Sequence, residues 1–522
     1  SIAHLYDLLG SPEDLHVRAS DPVELPGGRQ THRRWTITCG VGSAEASVRF
    51  SYRQGYNEHY IHVRGTHGSA LADLEDNHYT LRRSTPYSID IDRFQRVRHQ
   101  ARNLRRQASK NMTDYALARL KLRDGGNAFG ESIRTCIAAV HATIKGRPDA
   151  RITGETATEV IRICERIRDN SNTVASIVPS VCRHNNSPRN PSILILGGTG
   201  FIGREIVKQL VQQNHPVRVV SRNPASVPAE LQHPLVELVP GNALRAEDVR
   251  KSLGGISKVV HLVTGHGQTW DDYYQSDVVA TQRIAEICVD AGVERFIYAG
   301  TIASLYSGRR AGTINDATTN DRYLDRRNHY ARAKGHAEIV LRRLYRERHL
   351  PLVILRPGIV VGEQGPPYHW GVAMWPNDSV CLYWGDGNHP LPFVLVGDVA
   401  AAFVTALNAP DVVGRSLNLV GDVRLTAREY VDELERCSGV SIDAQPRAIW
   451  QYYATDVAKY AIKVLVRHPN RQLPSYRDWE TRQELGNYDC ESTKQLLNWH
   501  PNANREVLID RGIRAPMRRV LD

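Results

Sequence analysis

Ile193-Leu194-Ile195-Leu196-Gly197-Gly198-Thr199-Gly200-Phe201-Ile202-Gly203 decides the fold of the larger part of this chain. Four aliphatic residues in succession suit a parallel strand buried on both faces, and the glycines that follow have the spacing of a dinucleotide-binding turn. Glycine at 197 permits the tight turn, glycine at 200 lets backbone approach a pyrophosphate, and glycine at 203 lets the next helix pack closely on the strand. That helix, expected from Arg204 to Gln212, would offer free N–H groups and its positive end to the phosphates.

Reading outward, a second strand, Val217-Arg218-Val219-Val220, runs into Ser221-Arg222-Asn223 and not into the acidic residue that would bind a ribose 2′-hydroxyl. A guanidinium at 222 attracts a 2′-phosphate, so NADP is expected ahead of NAD. Gly241-Asn242 follows a third strand, and Val259 to Val263 reads as a fourth. Strands and helices alternate to about Leu407, which predicts an α/β fold with a Rossmann-type, doubly wound parallel sheet. The cofactor site is expected to take in Gly197, Thr199, Gly200, Phe201, Ile202, Gly203, Ser221, Arg222, Asn242, Ala243, Val263, Tyr330, Lys334, Pro357 and Ile359.

Arg295 to Ala303 is another buried strand, with a hydroxyl at Thr301. Further on, His329-Tyr330-Ala331-Arg332-Ala333-Lys334 leads into a helical stretch from Ala337 to Tyr345. Tyr330 and Lys334, four apart, share a helix face. A phenol alone titrates far above neutrality, so Lys334 is expected to lower the Tyr330 pKa and to hold the ribose. Thr301 would hydrogen-bond the reacting oxygen of a secondary alcohol or ketone while hydride passes at the carbon.

Composition sets the surroundings. A chain of 522 residues needs two or three packed units, and 41% hydrophobic with 24% charged residues is ordinary for a globular protein. No apolar run reaches the ~18 residues needed to span a bilayer, and Ser1 to Leu5 lacks signal-peptide features, so a cytoplasmic location is expected. Eight scattered cysteines form no C-x-x-C pair, and the histidines show no ligand spacing, so no metal is expected. The net charge of +11 favours anionic small molecules. The basic stretch from Arg93 to Lys110 reads as a solvated helix face, with no nucleic-acid module around it. Residues 448–467 are amphipathic, basic and aromatic, which fits a helix of a substrate lobe and also, more weakly, a membrane surface.

The first 168 residues read as α+β. Thr36 to Cys39, Ala46 to Tyr52, Tyr60 to Arg64 and Ala70 to Leu74 alternate like half-buried antiparallel strands. Ser132 to Ile144 has helical spacing, and Thr156-Ala157-Thr158-Glu159 suits a capping box. Residues 169–191 turn polar and lose periodicity, as a linker does, leaving 192–522 as the second domain.

From about 192 to 501 these residues resemble the extended short-chain dehydrogenases/reductases, the NAD-dependent epimerase/dehydratase proteins. The resemblance is carried by the glycine turn, Tyr330 with Lys334, Leu355-Arg356-Pro357-Gly358-Ile359-Val360-Val361-Gly362, Pro392 to Ala400, and Leu496 to Pro501. It implies a Rossmann core with a small C-terminal substrate lobe, NAD or NADP as cofactor, and a homo-oligomer. There are departures. Gly300-Thr301 leaves Thr301 alone where paired hydroxyls are usual, Asp277 stands where the family often has asparagine, and Asn388 to Leu391 has no phosphate-gripping arginine.

Residues 1–168 resemble the C-terminal domain of the glucose-fructose oxidoreductase/inositol dehydrogenase (Gfo/Idh/MocA) proteins. That likeness rests on Ile2 to Gly10, Arg64 to Glu75 and Thr153 to Ala157. It implies an open antiparallel sheet and, without its own cofactor half, a truncated or inactive module with a structural or oligomerising role. Together the two resemblances imply an oxidoreductase or epimerase acting on a sugar or nucleotide sugar. The alternatives are a dehydrogenase of a lipophilic, steroid-like alcohol and a non-catalytic cofactor-sensing scaffold.

Overall fold

Aliphatic runs too short for helices but buried on both faces become the strands of one sheet. In the computed structural model, which describes residues 2–25, 29–52, 58–65, 68–83, 88–119, 128–147, 149–171, 190–265, 267, 269–465, 467 and 471–521, β7 (Ile193–Leu196) has all four side chains buried. Beside it lie β8 (Val217–Ser221) and β9 (Val236–Pro240) on one side. On the other lie β10 (Lys258–His261), β11 (Arg295–Ala299), β13 (Leu352–Pro357) and β18 (Ser416–Leu419). The order β18-β13-β11-β10-β7-β8-β9 makes a seven-stranded sheet in which each neighbouring pair is parallel.

Helices cover both faces, as a parallel sheet demands. One layer is packed by α5 (Phe201–Gln212) and α10 (Val396–Ala406), whose Ile206, Val207, Leu210, Val399 and Phe403 join Ile195, Val219, Val353 and Leu417 in one core. The other is packed by α8 (Ala280–Asp290) and α9 (His329–Arg348), where Ile284, Cys288, Ala337 and Leu341 meet Leu194, Val259, Phe296 and Ile354. Between the sequence of α5 and that of α8 fall α6 (Ala246–Lys251) and α7 (Trp270–Tyr273).

The C-terminal lobe adds a three-stranded sheet of β15 (Ala373–Asn377), β16 (Val380–Trp384) and β19 (Asp443–Arg447), with α11 (Ala427–Ser438) and α12 (Ile449–Leu465). Two short parallel pairs complete it: β12 (Thr313–Ile314) with β20 (Asn487–Tyr488), and β14 (Ile359–Val361) with β17 (Phe393–Leu395). Of the amphipathic stretch 448–467, residues 449–465 form α12.

The chain divides into two compact units, one of residues 1–25, 29–177 and 461–471, the other of 178–460 and 472–522. The first holds two three-stranded antiparallel sheets. One consists of β1 (Leu15–Leu25), β2 (Arg29–Val41) and β3 (Ala44–Ser51); the other of β4 (Tyr60–Gly65), β5 (Gly68–Asp73) and β6 (His78–Arg83). The antiparallel character expected from alternation is present, distributed over two sheets. Among the described residues α1 (Ile2–Leu9), α2 (Ile89–Arg119), α3 (Ala128–Ile144) and α4 (Gly154–Asn170) accompany them. A small core of Ile2, Ile37, Ile163 and Ile167 joins α1 and α4 to the first sheet.

Two local expectations are corrected. The cap of α4 is Thr153, whose hydroxyl accepts from the Thr156 N–H, so the helix begins before the box expected at 156–159. Thr156 is already helical there and its own hydroxyl faces that of Thr153. The helix also continues to Asn170, into the start of the expected linker; residues 172–189 of that linker lie outside the described residues.

Candidate active site

The glycine turn behaves as its spacing requires. Gly197 adopts φ +91°, a conformation that L side chains avoid. A Cβ on Gly203 would stand 2.2 Å from the Gly197 carbonyl oxygen, so only glycine lets α5 approach the turn this closely. Gly200 is the N-cap of α5 and supplies no side-chain cap, which leaves the first N–H groups of the helix for a ligand. Thr199, Phe201 and Ile202 stay partly exposed around this cradle. The residues present therefore fit a dinucleotide pyrophosphate.

The other expected cofactor residues follow the neighbouring strand ends. Ser221 ends β8 buried, and Arg222 beyond it is exposed. The Asn242 amide oxygen accepts from the Leu244 N–H at 3.0 Å and its own N–H donates to Asp248, so this side chain shapes its turn. Ala243 and Val263 pack against the core under α8, while Pro357 and Ile359 are buried where β13 passes into β14.

Thr301 follows β11, separated from β7 by β10 alone. Two inter-strand spacings put it about 10 Å across the sheet from the glycine turn. Its hydroxyl accepts from the Ala303 N–H at 3.2 Å and hydrogen-bonds the Tyr330 phenol. Tyr330 stands at the second position of α9, which Asn328 caps by accepting the Ala331 N–H at 3.1 Å. Tyr330 as a whole residue is 38% exposed.

Burial raises the Tyr330 pKa above its ordinary value, and the nearby Asp277 charge adds to the rise, while the Thr301 hydrogen bond opposes it. The Lys334 ammonium, 2% exposed, is turned to other partners: its Nζ lies 3.7 Å from Asp277 Oδ1 and donates to the Ala299 carbonyl at 3.4 Å. Burial lowers the Lys334 pKa, and the Asp277 carboxylate pulls it back upward.

Asp277 was legible in the sequence as a departure from the family pattern, but its pairing with Lys334 was not. It sits in a π-helical turn, Tyr274–Val279, between α7 and α8, where the wider coil carries the carboxylate inward. Near it His261, fully buried, is pushed down to about 3 by burial and stays neutral, its Nε2 3.1 Å from the Thr281 hydroxyl. Further along α9, Glu338 forms a fully buried ion pair with Arg356 at 2.6 Å, joined by Asn320 at 3.0 Å from Glu338.

At the outer rim, Trp270, Tyr273 and His329 cluster by ring contact, with the Arg332 guanidinium 3.6 Å from the Trp270 ring centroid. The loop 388–391 has no arginine of its own, but the fold brings others to the turn just before it. Arg428 Nε donates to the Asp386 carbonyl at 2.9 Å, and Arg447 exchanges backbone hydrogen bonds with Gly385 at 2.9 and 3.1 Å.

In the other unit Asp73, Asp76 and His78 bring potential ligand atoms within 4.8 Å of one another at a turn. Asp73 Oδ1 there already accepts the N–H groups of Glu75 and Asp76. Among the described residues no helix is long and apolar enough to cross a membrane.

Residues 193–419 match the NAD dependent epimerase/dehydratase family. This stretch is a domain of that family, of the extended short-chain dehydrogenase/reductase type. The epimerase-family domain has curated relatives of several kinds. The uncharacterized protein y4nG of Sinorhizobium fredii is 29% identical over 218 residues, covering 41% of this chain; the chain spans about half of that relative, 53% of its length. An uncharacterized UDP-glucose epimerase, YtcB of Bacillus subtilis, is 24% identical over 265 residues, 47% of this chain and 82% of its own. A 3-beta-hydroxysteroid dehydrogenase of Mycolicibacterium neoaurum is 29% identical over 126 residues, 22% of this chain and 34% of its own. Among solved structures, that of gox2253 has a TM-score of 0.51 at 22% identity, covering 63% of this chain and 98% of that one, which is a likeness of fold.

Proposed function

We propose that the epimerase-family domain oxidises, reduces or epimerises a secondary alcohol or ketone of a sugar or nucleotide sugar. The observation that carries this is the Tyr330 phenol, hydrogen-bonded by Thr301 and one helical turn from Lys334, two strands across the sheet from the glycine turn. Tyr330 is the general acid/base. Thr301 orients the substrate oxygen by sharing its hydroxyl with the phenol. Lys334, held by Asp277 and the Ala299 carbonyl, keeps a positive charge under the ribose site and so favours the phenolate when the proton leaves. A nicotinamide dinucleotide, when bound, supplies or accepts the hydride.

The likeness to a UDP-glucose epimerase over 82% of that protein's length and the Arg428 guanidinium at the 385–387 turn support a substrate carrying phosphate. The shorter match to a hydroxysteroid dehydrogenase favours, as a second reading, a lipophilic alcohol. The exposed Arg222 after β8 supports a preference for NADP over NAD within this family. Residues 1–168, joined through 169–191, act as a structural or oligomerising module in this reading, and the protein works as a homo-oligomer.

The test is turnover of uridine diphosphate sugars and of steroid alcohols by the purified chain, with Tyr330→Phe as comparison. Tyr330→Phe is expected to lose about 10²–10⁴-fold in kcat while still binding the cofactor. Unchanged turnover in Tyr330→Phe overturns the assignment, and turnover of steroids alone selects the second reading. Titration with NADP and NAD, repeated on Arg222→Ala, decides the cofactor preference.

A further inference from the structure

The long helix α2 is mounted with its apolar side outward. Its polar amides face the sheet: Gln107 both accepts the Tyr79 N–H at 2.8 Å and donates to the Tyr79 carbonyl at 2.9 Å, and Asn111 exchanges hydrogen bonds with Asn77. Tyr79 belongs to β6, an edge strand of its sheet, so these amides satisfy backbone groups that would otherwise stay open. With the amide face committed there, the stripe Phe94, Val97, Ala101, Leu104, Ala108, Met112 and Tyr115 falls about a quarter of a turn away. It is exposed along its length, with Phe94 61%, Val97 65% and Met112 68% accessible.

Next to that stripe, on the side away from β6, run Arg98, Arg102, Arg105 and Arg106, all exposed. The carboxylates of the helix are used elsewhere, Asp90 by Arg93, Asp92 by Arg96 and Asp114 by Lys110. Among the described residues no carboxylate forms an ion pair with the four arginines. An apolar stripe bordered by uncompensated arginines is the surface of an interfacial helix, which buries its apolar side chains at the headgroup boundary and offers its cations to anionic lipid.

We propose that α2 docks the N-terminal unit on an anionic membrane surface. The charge pattern favours this occupant over others. Antiparallel pairing of two copies through the stripe would bring the arginines flanking one helix against those of the other, and a nucleic acid would leave Phe94, Val97, Leu104 and Met112 without apolar partners. Long arginine side chains, by contrast, can lay their stems along the stripe while reaching headgroup phosphates.

The experiment is co-sedimentation of the purified full chain with vesicles of phosphatidylcholine alone and of phosphatidylcholine mixed with phosphatidylglycerol, at low and high salt. Binding is expected to the anionic vesicles only and to weaken with salt. Reversing three charges, Arg98→Glu with Arg102→Glu and Arg105→Glu, is expected to lower the partition by about a hundredfold. Val97→Ser with Leu104→Ser is expected to weaken it as well, and far-ultraviolet circular dichroism checks that each variant stays folded. The proposal falls if the chain stays in the supernatant with both vesicles or binds neutral vesicles equally. It also falls if light scattering shows a dimer that the serine variant dissolves while vesicle binding is absent.

Discussion

Asp277→Asn tests the electrostatic core of the site. Asp277 is 1% exposed and its Oδ1 lies 3.7 Å from the Lys334 ammonium, itself 2% exposed. At an effective dielectric of 20, two charges about 4 Å apart attract by about 4 kcal/mol, and removing one partner of a buried pair costs about 3–5 kcal/mol. Asparagine keeps the shape and one acceptor oxygen, which returns about 1–1.5 kcal/mol of hydrogen bonding. The variant should therefore be about 2–4 kcal/mol less stable at neutral pH.

The pH dependence has a definite sign. Burial already lowers the Lys334 pKa below 10.5, so folding releases a proton from this group as pH enters that range. Without the Asp277 charge the folded pKa falls further, and the stability lost is fully present well below the folded pKa. It is recovered as pH rises through the folded pKa toward the unfolded value. Urea unfolding of both proteins at pH 7 and at a pH near the ordinary lysine value reads this out. Removing the carboxylate also removes one influence that raises the Tyr330 pKa, so the limb of activity that requires the phenolate should move to lower pH. Equal stability of the two proteins at neutral pH, or a deficit that grows as pH rises, would refute the reasoning.

Gly203→Ala places a Cβ 2.2 Å from one backbone atom and 2.7 Å from another, neither of which can rotate aside; stability should fall by about 1–3 kcal/mol and dinucleotide affinity at least about tenfold, by calorimetry. Glu338→Ala strands the buried Arg356 and should cost about 3–5 kcal/mol, whereas replacing both by leucine should recover much of that loss in thermal melts.

The glycine turn was legible in the sequence because its signals are local. Glycines at 197, 200 and 203 answer to φ angles and close approaches within a dozen residues, and a four-residue aliphatic run can satisfy its burial only inside a covered sheet. The placement of Tyr330 and Lys334 one turn apart on one helix was legible for the same reason, since helical periodicity sets it. The α4 cap was misplaced by one turn because Thr153 and Thr156 are chemically alike, and only the backbone shows which of them precedes the first helical residue.

What the sequence by itself determined was the Rossmann order of elements, the glycine cradle and the helix carrying Tyr330 and Lys334, all properties of near neighbours. Only the tertiary structure decided that Lys334 answers to Asp277, that the Arg428 guanidinium reaches the turn at 385–387, and that α2 turns amides to a sheet edge and its apolar stripe outward. Those pairings join residues far apart in the chain. Which of several cations or faces meets a given partner depends on how buried layers pack and on which backbone groups remain to be satisfied, and a one-dimensional pattern carries neither quantity.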